Sequence, residues 1–210
     1  VLKTFIIHDP KTKKISKSDF RDRVVHHALC NVIGSLFENS FIYDSYANRL
    51  GKGTLAALNR VDYFKRKVSR NNTKNCFVLK ADIKHYFETV DHVILMSIID
   101  KKIKDKKVIL LIKKILSNYE AKETSKGMPL GNWTSQFFAN IYLNELDYFV
   151  KHQLKAKYYF RYVDDFIILH RNRDFLEGCS ERISLFLKER LKLELHQEKS
   201  KILQKTSWLK

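Results

Sequence analysis

Proline and glycine are scarce. Two prolines and six glycines in 210 residues leave little room for long linkers, so a compact, element-dense chain is expected. The three cysteines, Cys30, Cys76 and Cys179, are odd in number, far apart and form no CxxC pair, which excludes a disulfide framework and a zinc ribbon. Cys30 and Cys76 sit in apolar runs and read as small buried hydrophobes; a reducing, cytoplasmic setting is the expectation. No apolar run approaches ~18 residues, so no transmembrane helix is expected, and no signal-peptide pattern follows Val1. Repeats and low-complexity tracts are also missing.

Charge of one sign is plentiful. Lys and Arg number 40 against 23 Asp and Glu, a net charge of +17 at pH 7. With 44% hydrophobic residues the chain has enough apolar matter for a core, which argues against disorder. The excess points to a polyanionic partner, nucleic acid or an anionic membrane, or else to a well-solvated surface. Dispersed lysines and core-type helix faces count against the membrane. The charge is uneven: Val1–Lys80 carries 16 basic and 6 acidic residues.

Periodicity divides the chain into elements. Residues 3–15 read as extended around a turn at Asp9-Pro10-Lys11. Ser18 or Asp19 caps a helix, with Phe20, Val24, Ala28, Val32 and Leu36 on one face and Val25, Leu29 and Ile33 beside them. A second helix spans about 54–69. Cys76–Asp82 reads as a buried strand, Asp91 caps a helix to about Ile99, and Lys106–Leu116 is helical. After a Gly- and Pro-containing loop, 125–131, a long helix fills 134–154. Two strands flank a turn at Val163-Asp164-Asp165, a helix covers 175–191, and short strands lie at 193–195 and 201–203. From Cys76 onward this is the β-α-β-β-α-β order of a ferredoxin-like split βαβ. The fold class is therefore α+β, one antiparallel sheet with helices on one face.

Aspartate stands where a core should not want it. Asp82 ends an apolar strand, and Asp164 and Asp165 interrupt two apolar strand halves. A hairpin turn and a strand end would explain each alone. In a split βαβ sheet, however, the first strand and the central hairpin can be neighbours, which brings Asp82 and Asp164 together. Carboxylates so close repel unless a cation intervenes. Hard oxygen ligands suit Mg²⁺, and a pair of such ions roughly 4 Å apart can hold both oxygens of a phosphoryl displacement.

The motifs around these residues resemble those of reverse transcriptases. Tyr162-Val163-Asp164-Asp165 resembles the YxDD box, and 80–87, with Asp82 followed by Tyr86 and Phe87, resembles the first palm motif. The stretch 127–136, Gly-Met-Pro-Leu-Gly-Asn-Trp-Thr-Ser-Gln, is similar to the second palm motif. The segment 193–202, containing Glu198-Lys199-Ser200-Lys201, resembles the motif after the catalytic hairpin. All occur in the family's order over about residues 8–202.

The resemblance implies a polymerase-type palm over 76–205 with interleaved fingers helices, and a basic fingers subdomain over 1–75. It implies Asp82 and Asp164 as ligands of two Mg²⁺ ions (Mn²⁺ is an alternative), Asp165 as a third carboxylate and the Ile83 carbonyl as a further ligand. Lys199 matches a general acid for the leaving pyrophosphate. Phe87 falls where an aromatic ring selects dNTP over NTP. Lys11 and Lys13 take the fingers positions that hold the triphosphate, with Lys13 standing where Arg is common and Lys14 as its alternative; Leu130 and Gly131 belong to the same nucleotide site. Arg21, Arg23, Ser45, Tyr46 and Arg49 fall in segments that track the template backbone, and Tyr162 and Val163 of the YxDD box also face nucleic acid. His26 and His27 point in different directions, which argues against a metal pair.

Leu130 and Gln136 depart from most of the family, which has Gln and Pro there. With His8–Lys11 and Phe20–Leu29 they resemble the reverse transcriptases of diversity-generating retroelements. That resemblance implies error-prone cDNA synthesis opposite template adenine and a basic accessory protein. The expected activity is RNA-directed DNA polymerisation, with an RNA template, a DNA or cDNA primer and dNTP as partners. The alternatives are a group II intron-type or antiphage reverse transcriptase, or a non-catalytic RNA-binding scaffold on a polymerase-like fold. Leu130 and Gln136 argue against the intron type. Val1 and the ending at Lys210 suggest a fingers–palm fragment without the thumb.

Overall fold

The computed structural model describes residues 2–8, 12–119 and 125–204. Backbone contacts divide the chain into two units, Val1–Phe41 with His85–Tyr142, and Ile42–Lys84 with Leu143–Lys210.

In the first unit β1 (Leu2–Ile7) and β2 (Lys13–Ser18) form a two-stranded antiparallel sheet. Helix α1 (Phe20–Glu38) starts at Asp19, whose carboxylate accepts from the Arg21 N–H. Short α3 (Tyr86–Thr89), absent from the sequence expectation, precedes α4 (His92–Lys102). Asp91 caps α4 through the N–H groups of Val93 and Ile94, and Asp105 caps α5 (Lys106–Ser117) in the same way. These carboxylates satisfy donors that the first helical turn leaves orphaned.

The buried face of α1 is not the one expected. His26, Leu29, Cys30, Ile33 and Phe37 point inward, while Phe20, Val24, Val32 and Leu36 are exposed. Two adjacent apolar stripes share this helix, and periodicity alone does not choose between them. Tertiary partners do: Phe37 meets Phe137 edge-on, and His26 Nδ1 lies 2.9 Å from Thr134 Oγ1.

The second unit holds an antiparallel sheet in the order β4-β5-β3-β6, built from β3 (Phe77–Asp82), β4 (Tyr158–Tyr162), β5 (Asp165–His170) and β6 (Lys201–Gln204). This is the strand order of the split βαβ motif. One face is closed: Leu79, Ala81, Phe166, Ile168, Tyr159 and Arg161 are all buried. Helix α7 (Arg173–Leu191) packs on β3 and β5, presenting Leu176, Cys179, Ile183 and Leu187. The other face is half closed. Helix α2 (Thr54–Ser69) covers Val78, Phe160 and Leu169 with Ala57, Phe64 and Val68. It leaves the ends of β3 and β5, with Lys80 and Asp165, exposed.

Helix α6 (Trp133–Tyr148) was expected to run on to Leu154. It passes instead into a π-helical turn, Phe149–Gln153, closed by the Leu154 N–H on the Phe149 carbonyl. The wider turn places Phe149 in a stack on Phe186 with ring centres 4.2 Å apart.

Candidate active site

Strand pairing assembles the acidic group. In the β3–β5 register Asp82 lies directly across from Asp165, a like-charge pair that destabilises a sheet unless something compensates. Val163 and Asp164 form the two-residue turn between β4 and β5. Asp164 is mostly withdrawn from solvent. Burial pushes its carboxyl up to about 6, reinforced by the negative charges of Asp82 and Asp165 and opposed by a hydrogen bond from its own backbone and by the Lys199 ammonium.

Lys199 is the cation in this group. Its Nζ donates to Asp82 Oδ2 at 2.8 Å, and that bond raises the lysine's pKa. The approach is fixed by backbone pairing beyond β3: the Lys84 N–H donates to the Glu194 carbonyl, and the His196 N–H to the Asp82 carbonyl. Ile83 and Leu195 face each other between those bonds. Neither bond uses Ile83, so its own N–H and C=O point to the opposite side of β3, the side that carries β5.

The donor set fits a hard divalent cation: carboxylate oxygens, repelling one another, at a sheet end open to solvent. Mg²⁺ commonly takes only one or two protein carboxylates and completes its shell with phosphates and water. Among the described residues no three His, Cys, Asp or Glu side chains form a ready-made cage. The expected convergence of three carboxylates is therefore an open arrangement, with Asp82 and Asp164 inward and Asp165 exposed.

The first unit carries other expected residues. Phe87, on α3, meets Tyr86 edge-on. The Phe87 carbonyl accepts from the Met128 N–H, and the Val90 carbonyl from the Gly127 N–H, which ties the Gly- and Pro-containing loop to α3. Leu130 is half-buried, and its carbonyl accepts from the Ser16 N–H of β2 at 2.7 Å. Asn132 continues the attachment, accepting from the Ser18 N–H and donating to the Ser16 carbonyl. Gly131 has φ +114, and a Cβ there would lie 2.7 Å from Ile15 Cγ2. Lys13 belongs to β2; Lys11 lies outside the described residues. Arg21 is exposed, and Arg23 lies over the Phe20 ring. His27 stacks on Trp133.

Three residues expected along a template are committed to the fold. Ser45 is 1% and Tyr46 3% exposed. Ser45 Oγ accepts from Arg161, Tyr46 packs on Phe160, and Arg49 donates to the Ile42 and Ser45 carbonyls. The backbone of this segment joins the sheet, since the Tyr46 N–H donates to the Arg161 carbonyl and the Arg161 N–H to the Asp44 carbonyl. The polar residues here are thus partners of a neighbouring strand rather than a free surface.

A surface that the motifs did not reveal lies nearby in sequence. Tyr43 and Tyr63 are 66% and 46% exposed. Lys52 Nζ sits 3.5 Å from the Tyr43 ring centre, Arg60 lies 5.1 Å from both tyrosine rings, and Lys67 lies 5.5 Å from Tyr63. Arg60 is anchored by Asp44 at 2.7 Å. Residues 42–75 contain eight Lys and Arg against two Asp. Flat rings among cations are what a single-stranded nucleic acid uses for stacking and charge neutralisation. Motif matching missed these residues; the signal available was Tyr43 and Tyr63 interleaved with basic residues.

Comparison with known proteins agrees with this construction. The family described as "Reverse transcriptase (RNA-dependent DNA polymerase)" matches residues 8–209. The group II intron-encoded protein LtrA of Lactococcus lactis subsp. cremoris is 26% identical over 91% of this chain and 42% of its own length. Protein YkfC of Escherichia coli K12 is 24% identical over 91% of this chain and 60% of its own. The chain thus spans about half the length of these relatives. Among solved structures, apo telomerase from Candida tropicalis truncated from its C-terminal domain aligns with a TM-score of 0.71 at 15% identity, over 97% of this chain and 50% of that one. Telomerase from Candida albicans aligns with a TM-score of 0.71 at 11% identity, over 98% of this chain and 43% of that one. These likenesses support the palm and fingers fold. With the family match running through both aspartate-bearing strands and the loop between them, the chain belongs to the reverse transcriptase family and is related to the group II intron-encoded enzymes.

Proposed function

We propose that this chain carries the polymerising site of an RNA-directed DNA polymerase. The observation that carries the reading is the Asp82–Asp164–Asp165 group at an open sheet end, with Lys199 held against Asp82 at 2.8 Å. In this reading residues 1–75 supply fingers contacts and 76–205 the palm. Asp82 and Asp164, with the Ile83 carbonyl, would hold two Mg²⁺ ions, or Mn²⁺ in their place. When bound, those ions stabilise charge on the attacking and leaving oxygens as a primer 3′-hydroxyl displaces pyrophosphate from a dNTP.

The protein's own part is positioning and proton placement. Asp82 enters the acidic group from the end of β3 and Asp164 from the turn between β4 and β5, and Asp165 adds negative field from its exposed place opposite Asp82. Lys199 neutralises Asp82 while no other cation is there. Once released from that carboxylate, its ammonium is a proton donor for the leaving pyrophosphate. Phe87 supplies the ring against a ribose 2′-hydroxyl, and Lys13 and Lys11 charge for the triphosphate. The exposed Tyr43–Tyr63 surface, with Lys52, Arg60 and Lys67, takes an RNA template strand through stacking and phosphate contacts.

A narrower reading rests on Leu130 and Gln136. Leucine at 130 offers no side-chain hydrogen bond to a nucleotide sugar, so discrimination against a misaligned pair is weaker. We assign the chain on that basis to an error-prone enzyme of a diversity-generating retroelement, acting with a basic accessory protein.

Primer extension on RNA and DNA templates with Mg²⁺ tests the polymerase reading, comparing this chain, its Asp164→Ala variant and a longer, thumb-containing version. Extension by the longer parent and none by its Asp164→Ala counterpart is expected. No extension by the longer parent refutes the activity, and equal extension by both refutes the site.

A further inference from the structure

Among the described residues Arg161 is the largest fully buried side chain. A buried guanidinium is costly, and its partners are unusually complete. Nε donates to Asp147 Oδ1 at 2.8 Å and Nη2 to Asp147 Oδ2 at 2.7 Å, a bidentate fork between two side chains of 0% exposure. Tyr159 Oη donates to the same carboxylate at 2.7 Å, and Nη2 also donates to Ser45 Oγ at 3.2 Å. Such a pair is weak evidence for stability, because apolar residues of similar volume often hold a core as well or better. A different consequence is visible at Nη1, which donates to the Val163 carbonyl at 2.8 Å.

Val163 is the first residue of the turn that ends in Asp164, and it has φ +55. Two-residue hairpin turns take such a backbone readily with Gly or Asn, whereas a β-branched residue there is strained. Strain of this kind persists only where surrounding contacts over-determine it. The Val163 carbonyl and the Asp164 N–H belong to one peptide plane, so fixing the oxygen fixes the plane from which the Asp164 side chain departs. Arg161 in turn cannot shift, because Asp147 grips it from α6.

The geometry points to Arg161 and Asp147 as a buried brace that positions Asp164 for divalent-cation binding. This rests on the carboxylate reading above. Arg161 touches no substrate; it is a positioning residue acting through the Val163 peptide. Removing a group that orients a metal-binding carboxylate typically weakens metal affinity ~10–100-fold.

The test measures Mn²⁺ uptake by the full chain, from the loss of the free-ion electron paramagnetic resonance signal, alongside thermal unfolding. Asp164→Asn defines the uptake that depends on Asp164. The variants are Arg161→Met/Asp147→Leu, which replaces the buried pair by apolar volume, and Arg161→Lys, which keeps the charge but loses the fork. Both are expected to fold and to bind Mn²⁺ at the Asp164-dependent site ~10–100-fold more weakly than the parent. A folded double variant with affinity within about twofold of the parent overturns the brace, and so does a parent that binds no more Mn²⁺ than Asp164→Asn. If neither variant folds, the pair is a stability element and the proposal falls. Primer extension separates this from the polymerase reading: Arg161-dependent Mn²⁺ uptake in a protein that extends no primer keeps the brace and removes the polymerase, and extension with Mn²⁺ uptake indifferent to Arg161 does the reverse.

Discussion

Lys199 and Asp82 are 117 residues apart in sequence and 2.8 Å apart in space. The ammonium takes one of the two carboxylate oxygens that Asp82 could offer a divalent cation. Lys199→Met is therefore expected to do two opposite things. Mn²⁺ affinity of the free chain rises several-fold, because a competing cation is gone. Primer extension slows by ~10²-fold or more if the ammonium protonates the leaving pyrophosphate, the usual scale for a lost general acid. Metal titration and single-turnover kinetics on a thumb-containing version read the two effects separately. Unchanged turnover would leave Lys199 a neutralising group only.

Asp164 makes the metal-free protein sensitive to pH in a defined direction. Its carboxyl ordinarily titrates near 3.8 and here near 6. Between those values the folded state holds a proton that the unfolded chain has released. The contribution is therefore favourable to folding at low pH, fades as pH rises through about 6, and leaves the ionised carboxylate destabilising above it. A shift of this size amounts to roughly 1–3 kcal/mol. Asp164→Asn should be more stable than the parent at pH 7.5 by about that amount, and the advantage should shrink at pH 5. His26 titrates the other way, its pKa lowered by burial, so the difference between parent and variant isolates Asp164. Excess Mg²⁺ should stabilise the parent and not Asp164→Asn. Thermal melts at two pH values, with and without Mg²⁺, check all of this.

The sheet and its acidic end were legible because strand order and local turn chemistry carry them. Aspartate at the end of a run of Phe77, Val78 and Leu79, and a second pair of aspartates between apolar halves, already required a partner for the charge. The cap Asp91 is likewise written in its helix start, whereas the structure alone identifies Asp105 as the cap of α5. What the sequence hid are choices that tertiary packing makes. Helix α1 offers two apolar stripes, and tertiary partners such as Phe137 and Thr134 decide which is covered. Ser45, Tyr46 and Arg49 look like a polar surface until the Asp44–Tyr46 backbone is seen paired with Arg161. Arg161 stands as a lone charge in an aromatic strand, and its partner Asp147 lies 14 residues away on a helix, where no motif connects them, so the sequence singles out neither.

Gly131 fixes the attachment of the Leu130 loop to β2. Its φ of +114 is one that L side chains rarely adopt, and the new Cβ would meet Ile15 Cγ2 at 2.7 Å. Gly131→Ala should cost about 1–3 kcal/mol, read as a fall of roughly 2–10 °C in melting temperature for a chain of this size. Removing the clashing methyl in Ile15→Ala/Gly131→Ala should recover only part of the loss when compared with Ile15→Ala alone, since the backbone strain remains. Full recovery would place the whole cost in the side-chain clash.

The Tyr43–Tyr63 surface predicts a salt-dependent affinity for single-stranded RNA. Tyr63→Ala should weaken binding by about 1–3 kcal/mol, the worth of one lost stacking platform. Lys67→Ala should instead flatten the dependence of log K on log salt by ~0.7, one phosphate contact on a single strand. Fluorescence anisotropy of a labelled oligonucleotide at several salt concentrations distinguishes the two. If neither variant changes affinity or slope, the cation–ring cluster only stabilises its own segment around Asp44 and Arg60.

Leu130 offers the sharpest test of the error-prone reading. Its backbone is held by the Ser16 N–H at 2.7 Å, so exchanging the side chain leaves the loop attached. A glutamine there regains an amide able to hydrogen-bond the sugar of an incoming nucleotide, a contact that a well-paired dNTP uses more fully than a misaligned one. Fidelity is a difference between two transition-state energies, and one directional hydrogen bond can widen it by ~10-fold, the equivalent of about 1.4 kcal/mol. Leu130→Gln is therefore expected to reduce misincorporation opposite template adenine by about that factor while changing correct incorporation little. Sequencing of cDNA copied from a defined RNA by thumb-containing parent and variant measures it. An identical error spectrum would remove Leu130 as the source of infidelity and, with it, the residue-level support for a retroelement that diversifies its target.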